Sequence, residues 1–385
     1  MELKEYSLRL EALVVFRGLL QDPVVEALGR MLAQPTVSSC GEFCSRLFGH
    51  TTNWSRYLLA RVLEEENLYV KALCTSQGAD ELLTQALDNE LDFFTQLGKL
   101  ARKDLTLPDF LPQWQVEEID FSAEYKSRLA DLHHTGYGIF ARYKVFTVED
   151  CQLVPVRHPD PQKLSELPGY EAERAKVIAN TKALLEGRPA NNVLLYGDAG
   201  TGKSSAIKAI ANEFADQGLR LVEVKKNQLY QIPHLMDTLA ANPLKFILFI
   251  DDLSFTANDD NFAALKAILE GSVGGRSHNI AVYATSNRRH LIKETLSDRE
   301  GDDIHLSDTR QELMSLSARF GLTVTFGRPD RDRFALIVKE LAGQFGIEEP
   351  FDRLLVKAEA FAIRAGGRSP RVARQFMELV YAGVL

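Results

Sequence analysis

Cysteine, tryptophan and long apolar runs are all scarce in this 385-residue chain, and each shortage excludes something. The four cysteines, Cys40, Cys44, Cys74 and Cys151, form no ligand-spaced set; Cys40 and Cys44 stand one helical turn apart, with no second pair or histidine cluster nearby. They read as reduced packing residues, not as a zinc or redox centre. No segment approaches the roughly 18 consecutive apolar residues of a membrane span. The amino-terminal MELKEYSLRLEALVVF mixes acidic with apolar residues and shows no signal-peptide cleavage pattern, so a cytoplasmic protein without membrane association is expected. Positive charge is short too: 45 Lys and Arg against 53 Asp and Glu give −8, which removes a global nucleic-acid signature but leaves room for a local basic patch. What remains is an ordinary globular composition without repeats or low-complexity segments, long enough for two or three domains.

Against that background one stretch stands out: Val193-Leu194-Leu195-Tyr196 followed by Gly197, Asp198, Ala199, Gly200, Thr201, Gly202, Lys203, Ser204 and Ser205. The spacing G-x-x-x-x-G-K-S is that of a P-loop. Glycines let backbone N–H groups converge on phosphate oxygens, Lys203 reaches the β and γ phosphates of a nucleotide, and Ser204 offers its hydroxyl to magnesium. Context supports this over a chance glycine-rich turn. The preceding residues are of buried-strand type, and Ile207, Ile210, Ala211 and Phe214 follow at helical spacing, placing a helix N-terminus at the anion.

Residues 1 to about 104 carry a helical apolar pattern, after which LTLPDFLPQW, with two prolines, reads as a linker. A short helix is expected around Tyr125–Leu132 and a strand over Ile139–Val145. A helix over Glu171–Leu185 leads into the P-loop strand. Beyond the P-loop, strands over 220–224, 246–250, 280–284 and 322–326 alternate with helices over 230–240 and 261–270, which implies a parallel sheet covered on both faces. The carboxy-terminal stretch is helical again. Its last helix is expected to be capped by Ser369, with Pro370 as first residue.

The apolar strand Phe246–Ile250 ends in Asp251 and Asp252, the layout that P-loop enzymes use for magnesium and for the attacking water. Asp251 is read as the metal-side acid and Asp252 as the water-orienting base, because adjacent positions at a strand end diverge. A solvated acidic turn is the alternative for such a pair in isolation. Asn287, after the strand Ala281–Ala284, is placed to polarise the γ phosphate or hold the lytic water. Arg319 and Arg371 are candidates for phosphate forks. An acidic segment between Lys293 and Glu312, with Asp298, Glu300, Asp302, Asp303 and Asp308 around His305, reads as a solvated loop in preference to a metal site. Residues 351–385 hold six basic side chains (Arg353, Lys357, Arg364, Arg368, Arg371, Arg374) against three acidic ones, charge available to nucleotide phosphates or to nucleic acid.

In this order the motifs resemble the AAA+ ATPases over about residues 160 to 385. More narrowly, NTKALLEGRPANNVLLYGDAGTGKSS, FIDDLSF, ATSNRRHLIKE and SLSARFGLTVTF are similar to the uncharacterised domain-of-unknown-function family number eight hundred and fifteen, whose members are described only as predicted ATPases. The resemblance implies an α/β fold with a three-layer core around a parallel five-stranded sheet, a C-terminal helical lid and a mainly helical N-terminal region. The corresponding divisions are residues 1–155 for partner recognition, 156–329 for the nucleotide-binding core and 330–385 for the lid. It further implies ATP and Mg2+ as ligands, a homo-oligomer, and a macromolecular partner that is protein or nucleic acid. Asn287 becomes a sensor of the γ phosphate, Arg371 a second sensor from the lid, and Arg319 a finger acting on the neighbouring subunit's ATP. Many AAA+ enzymes have glutamate where this chain has Asp252, and KKNQLYQIPHL lacks the aromatic-hydrophobic-glycine tripeptide of threading pore loops. Both departures lean toward a switch or loader. An ATP-gated binding module with very slow hydrolysis is the alternative.

Overall fold

The structure, a computed structural model, describes residues 2–74, 78–254, 261–270, 277–287 and 319–385. The acidic segment from Lys293 to Glu312 lies outside the described residues. The chain divides into two compact units, Met1–Arg142 and Tyr143–Leu385.

The first unit is helical, and its longer helices begin where the sequence supplies a cap. Asp22, Asn53, Asp80 and Asp120 each accept backbone N–H bonds at the starts of helices Pro23–Ala33, Trp54–Glu64, Glu81–Leu97 and Phe121–Ala130. Their apolar faces close over Phe16, Phe43, Trp54, Phe94 and Phe121. LTLPDFLPQW is not a linker. Leu105, Leu111 and Trp114 are buried in this core, Trp114 Nε1 donates to the Leu100 carbonyl at 2.8 Å, and Arg102 donates to the carbonyls of Leu105, Leu107 and Pro108. The prolines leave carbonyls without helical partners, and a buried arginine satisfies them. Ile139–Arg142 forms a helical turn where the sequence suggested a strand. Gly136 and Gly138, at φ 67° and 60°, redirect the backbone just before it.

The second unit is built on a seven-stranded sheet of order β2-β1-β4-β5-β6-β3-β7, with β1 Val145–Glu149, β2 Gln152–Pro155, β3 Val193–Gly197, β4 Leu219–Glu223, β5 Lys245–Ile250, β6 Ile280–Ser286 and β7 Leu322–Phe326. Five strands were expected. The five are present and parallel; the additions are β1, parallel to β4, and β2, antiparallel to β1. The hairpin between them turns on Asp150 and Cys151, both left-handed at φ 47° and 60°, a two-residue connection that normally advertises itself with glycine and here does not. The segment 145–155, grouped by sequence with the amino-terminal region, thus hydrogen bonds into the core sheet. Helices Glu171–Leu185, Lys203–Glu213, Ile232–Ala240 and Asn261–Glu270 alternate with the strands. Three more, Arg331–Phe345, Phe351–Arg364 and Pro370–Tyr381, form the lid, whose Leu341, Leu354, Phe376 and Met377 belong to the same apolar core as β3 and β7. Ser369 caps the last lid helix through the Val372 N–H, and Pro370 is its first residue, as expected.

Candidate active site

Parallel strands deliver their carboxyl ends to one edge of a sheet, and β5, β6 and β3 are neighbours. Register fixes which residues meet there: Ile250 pairs with Ala284, and Tyr196 with Ser286. Asp251, Asp252, Asn287 and the loop after Gly197 therefore emerge side by side. That loop requires glycine at its first position, since Gly197 has φ 141° and a Cβ there would stand 2.0 Å from the Phe326 carbonyl oxygen on β7. Gly202, at φ 91°, precedes the P-loop helix, so Lys203 and Ser204 occupy its first turn.

A cleft of about 510 Å3 opens over this edge, lined by Ala199, Gly200, Gly202, Lys203, Ser204, Ser205, Asp251, Asp252, Asn287 and Arg371. Lys203 is buried, and its ammonium donates to the carbonyls of Gly197 (2.9 Å) and Asp198 (2.8 Å) and to Asn287 Oδ1 (3.0 Å). Burial pushes its pKa down, while the carboxylates of Asp198, Asp252 and Asp251 pull it back up. Thr201 is buried behind the loop, its hydroxyl donating to the Asp198 carbonyl at 2.8 Å.

The two acids diverge as their adjacency suggested. Asp251 Oδ1 accepts from Ser204 Oγ at 2.6 Å and also from the Thr285 hydroxyl. Asp252 has φ 50°, uncommon for any residue but glycine though tolerated by aspartate, and its Oδ1 accepts from Asn287 Nδ2 at 2.8 Å. Thr285 holds this conformation: its Oγ1 accepts from the Asp252 N–H at 2.9 Å and its carbonyl from the Leu253 N–H at 2.7 Å. The Ser204 hydroxyl and the Asp251 carboxylate are hard oxygen donors converging on one point, a donor set that fits hydrated magnesium.

Arg371 reaches the cleft from the start of the last lid helix, and its N–H donates to the Gly200 carbonyl at 3.2 Å. Arg319 is not among the cleft residues. It precedes the amino end of β7 whereas the P-loop follows the carboxyl end of its parallel neighbour β3, so a five-residue strand of about 17 Å separates it from the chain's own site. Sequence reasoning missed the wall formed by Gln162, Leu167, Pro168 and Leu341, and it missed Thr285; Arg374, grouped there only with the basic side chains of residues 351–385, also lines the cleft. Arg374 had a signal, lying three residues after Arg371 on one helix face. The basic lid is largely committed within the chain: Lys357 pairs with Glu349, Arg368 pairs with Glu359, and Arg371 and Arg374 line the cleft.

A family described as "Protein of unknown function (DUF815)" matches residues 140–384. The chain belongs to that family. Among curated proteins it is 27% identical over 223 residues to the Holliday junction branch migration complex subunit RuvB of Leifsonia xyli subsp. xyli, covering 54% of this chain and 62% of the relative. It is 28% identical over 117 residues to the replication factor C large subunit of Staphylothermus marinus, covering 28% of this chain and 27% of that one. The chain thus spans less than two thirds of either relative. Among solved structures, the Thermotoga maritima RuvB Holliday junction branch migration motor matches at a TM-score of 0.38 and 18% identity, over 58% of this chain and 65% of that one. This DUF815 member has an α/β fold, a mostly parallel sheet with the P-loop after β3. Among the described residues, no helix is long and apolar enough to cross a membrane.

Proposed function

We propose that this chain binds ATP with Mg2+ and hydrolyses it as an oligomeric AAA+ ATPase that remodels or loads a macromolecular partner. The observation that carries this reading is the side-chain network at the strand tips, in which Lys203, Asn287 and Asp252 are linked in series while Ser204 meets Asp251. Lys203 binds the β and γ phosphates, exchanging its carbonyl partners for phosphate oxygens. Ser204 and Asp251 hold the magnesium ion, which supplies charge neutralisation along the phosphates. Asp252 accepts a proton from the attacking water, and Asn287, already bonded to Asp252, orients that water toward the γ phosphate.

Arg371 contacts the γ phosphate from the lid. Arg319, too far from its own cleft, serves the site of a neighbouring copy, and this is the reason for proposing an oligomer. Residues 1–142 supply partner recognition. The RuvB and replication factor C relatives motivate a nucleic-acid or protein partner.

Phosphate release under saturating ATP, compared between the wild type and Lys203→Ala, tests the reading. Turnover in the wild type that is absent from the variant is the expected result, and equal background in both overturns hydrolysis. Asp252 specifically favours a slow, switch-like second reading, since aspartate is one methylene shorter than glutamate and is already held by Asn287. Tight ATP binding with turnover near background would select it.

A further inference from the structure

Between β7 and the first lid helix the chain passes through Gly327-Arg328-Pro329-Asp330, and this junction is tied to both the P-loop and the lid. The Arg328 N–H donates to Asp198 Oδ2 at 3.0 Å, so a carboxylate of the phosphate loop holds the junction's backbone. The Arg328 guanidinium reaches the other way and donates to the Gly366 carbonyl, in the loop just before Ser369 and Arg371. That loop is shaped to receive it. Gly367 has φ 128°, and a Cβ there would stand 1.7 Å from Arg328 Nη2, so the guanidinium occupies the space that only glycine leaves. The loop then returns to the P-loop, where the Arg371 N–H donates to the Gly200 carbonyl at 3.2 Å. On its other side the junction is braced by Tyr170, whose hydroxyl donates to the Gly327 carbonyl at 2.6 Å and whose ring lies between Phe326 and the Arg333 guanidinium.

We propose that Arg328 is a positioning residue that couples phosphate-loop occupancy to the lid, by clasping the Gly366-Gly367 loop while its own backbone is held by Asp198. The inference rests on the nucleotide reading above. The input is built into Lys203, which holds the Asp198 and Gly197 carbonyls through its ammonium. When Lys203 turns to phosphate oxygens those carbonyls are released, the peptide carrying Asp198 is free to shift, and its carboxylate moves the Arg328 backbone. The guanidinium carries that shift to residues 366 and 367, and so to Arg371. A surface arginine with a single carbonyl partner contributes little to stability, so the effect belongs in the coupling, which in such systems amounts to about 5- to 150-fold.

The test uses the full-length chain and amide hydrogen exchange of residues 366–371, with and without saturating ATPγS and Mg2+. In the wild type, ATPγS should slow exchange in this loop. Arg328→Ala should lose most of that slowing and drop kcat about 10-fold, with ATP affinity changed less than about 3-fold. Arg328→Lys, which restores the charge and one donor, should recover part of both. Asp198→Ala should reproduce the lost protection, and the double variant should be no worse than either single one, as links in series require. Arg328→Gln, which keeps part of the length and a donor but not the fork or the charge, supplies a second variant should Arg328→Ala melt early. Unchanged ATPγS protection in both Arg328→Ala and Arg328→Gln overturns the clasp while leaving nucleotide binding intact. Failure of the wild type to bind ATPγS at all overturns the nucleotide reading and the clasp together.

Discussion

Asn287 donates its side-chain amide to Asp252 Oδ1 across 2.8 Å, although the two residues follow different strands and are 35 positions apart. Because Asn287 Oδ1 also accepts from Lys203, the ammonium of Lys203 and the carboxylate of Asp252, the groups proposed to bind phosphate and orient water, are joined through one amide. In the proposed reading these bonds hold the cation and the acid in place ahead of nucleotide, the preorganisation that positioning-based catalysis requires.

Lys203 is the group whose loss should be felt first. Lys203→Ala should lower ATP affinity by about 10- to 150-fold, the worth of a hydrogen bond to a charged group, in a calorimetric titration with the fold retained. In the wild type, kcat/KM should decline on the alkaline side with a midpoint below 10.5, the ordinary lysine value, because burial depresses the pKa of the free enzyme's Lys203. A midpoint at or above 10.5 would remove Lys203 as the titrating group.

Thr285 touches neither phosphate nor water in the proposed reading, yet it bonds both acids. Thr285→Val should reduce kcat about 10- to 100-fold while ATP affinity stays within about 3-fold, the pattern of a residue acting through its neighbours. Equal losses in binding and turnover would show that Thr285 shapes the whole cleft instead.

Arg319 supplies the sharpest test of assembly. Asp252→Asn and Arg319→Ala should each bind ATP and turn it over poorly, the second by about 10³- to 10⁵-fold if it acts as a finger. Mixed under conditions that exchange subunits, they form some interfaces with Asp252 from one chain and Arg319 from another, and activity should return. Demonstrated exchange with no recovery would contradict an in-trans role.

Glu65, in the helical unit, makes a pH prediction independent of nucleotide. Burial raises its pKa from 4.5 to about 7, partly opposed by backbone N–H bonds from Gly18 and Leu19. A folded value above the unfolded one means that the folded state holds the proton more tightly. The associated stability is fully present below about 4.5 and is lost as pH rises through about 7. Glu65→Gln, which cannot ionise, should therefore flatten the melting-temperature profile between those values and be the more stable form at pH 8, by roughly 1–3 kcal/mol. Parallel profiles for the two proteins would show that Glu65 does not titrate in that window.

The P-loop, the acidic strand end and the lid arginine were readable from sequence because each depends on local rules: glycine where φ is positive, an apolar run bounded by acids, a serine-proline helix start. The same rules gave the strand 322–326 and the helices 171–185 and 261–270. The β1–β2 hairpin was illegible because Asp150, a common turn residue, is followed at the second left-handed position by Cys151 where glycine would mark the turn. The proline-bearing segment 105–114 was misread because burial depends on Arg102 finding its carbonyls, a contact no local pattern announces. Tertiary structure alone decided that Thr285 governs both acids, that Asn287 meets Lys203, and that Arg328 spans from Asp198 to the lid. Sequence specifies which residues a strand or loop can carry, whereas the register of neighbouring strands and the docking of the lid determine which of them meet.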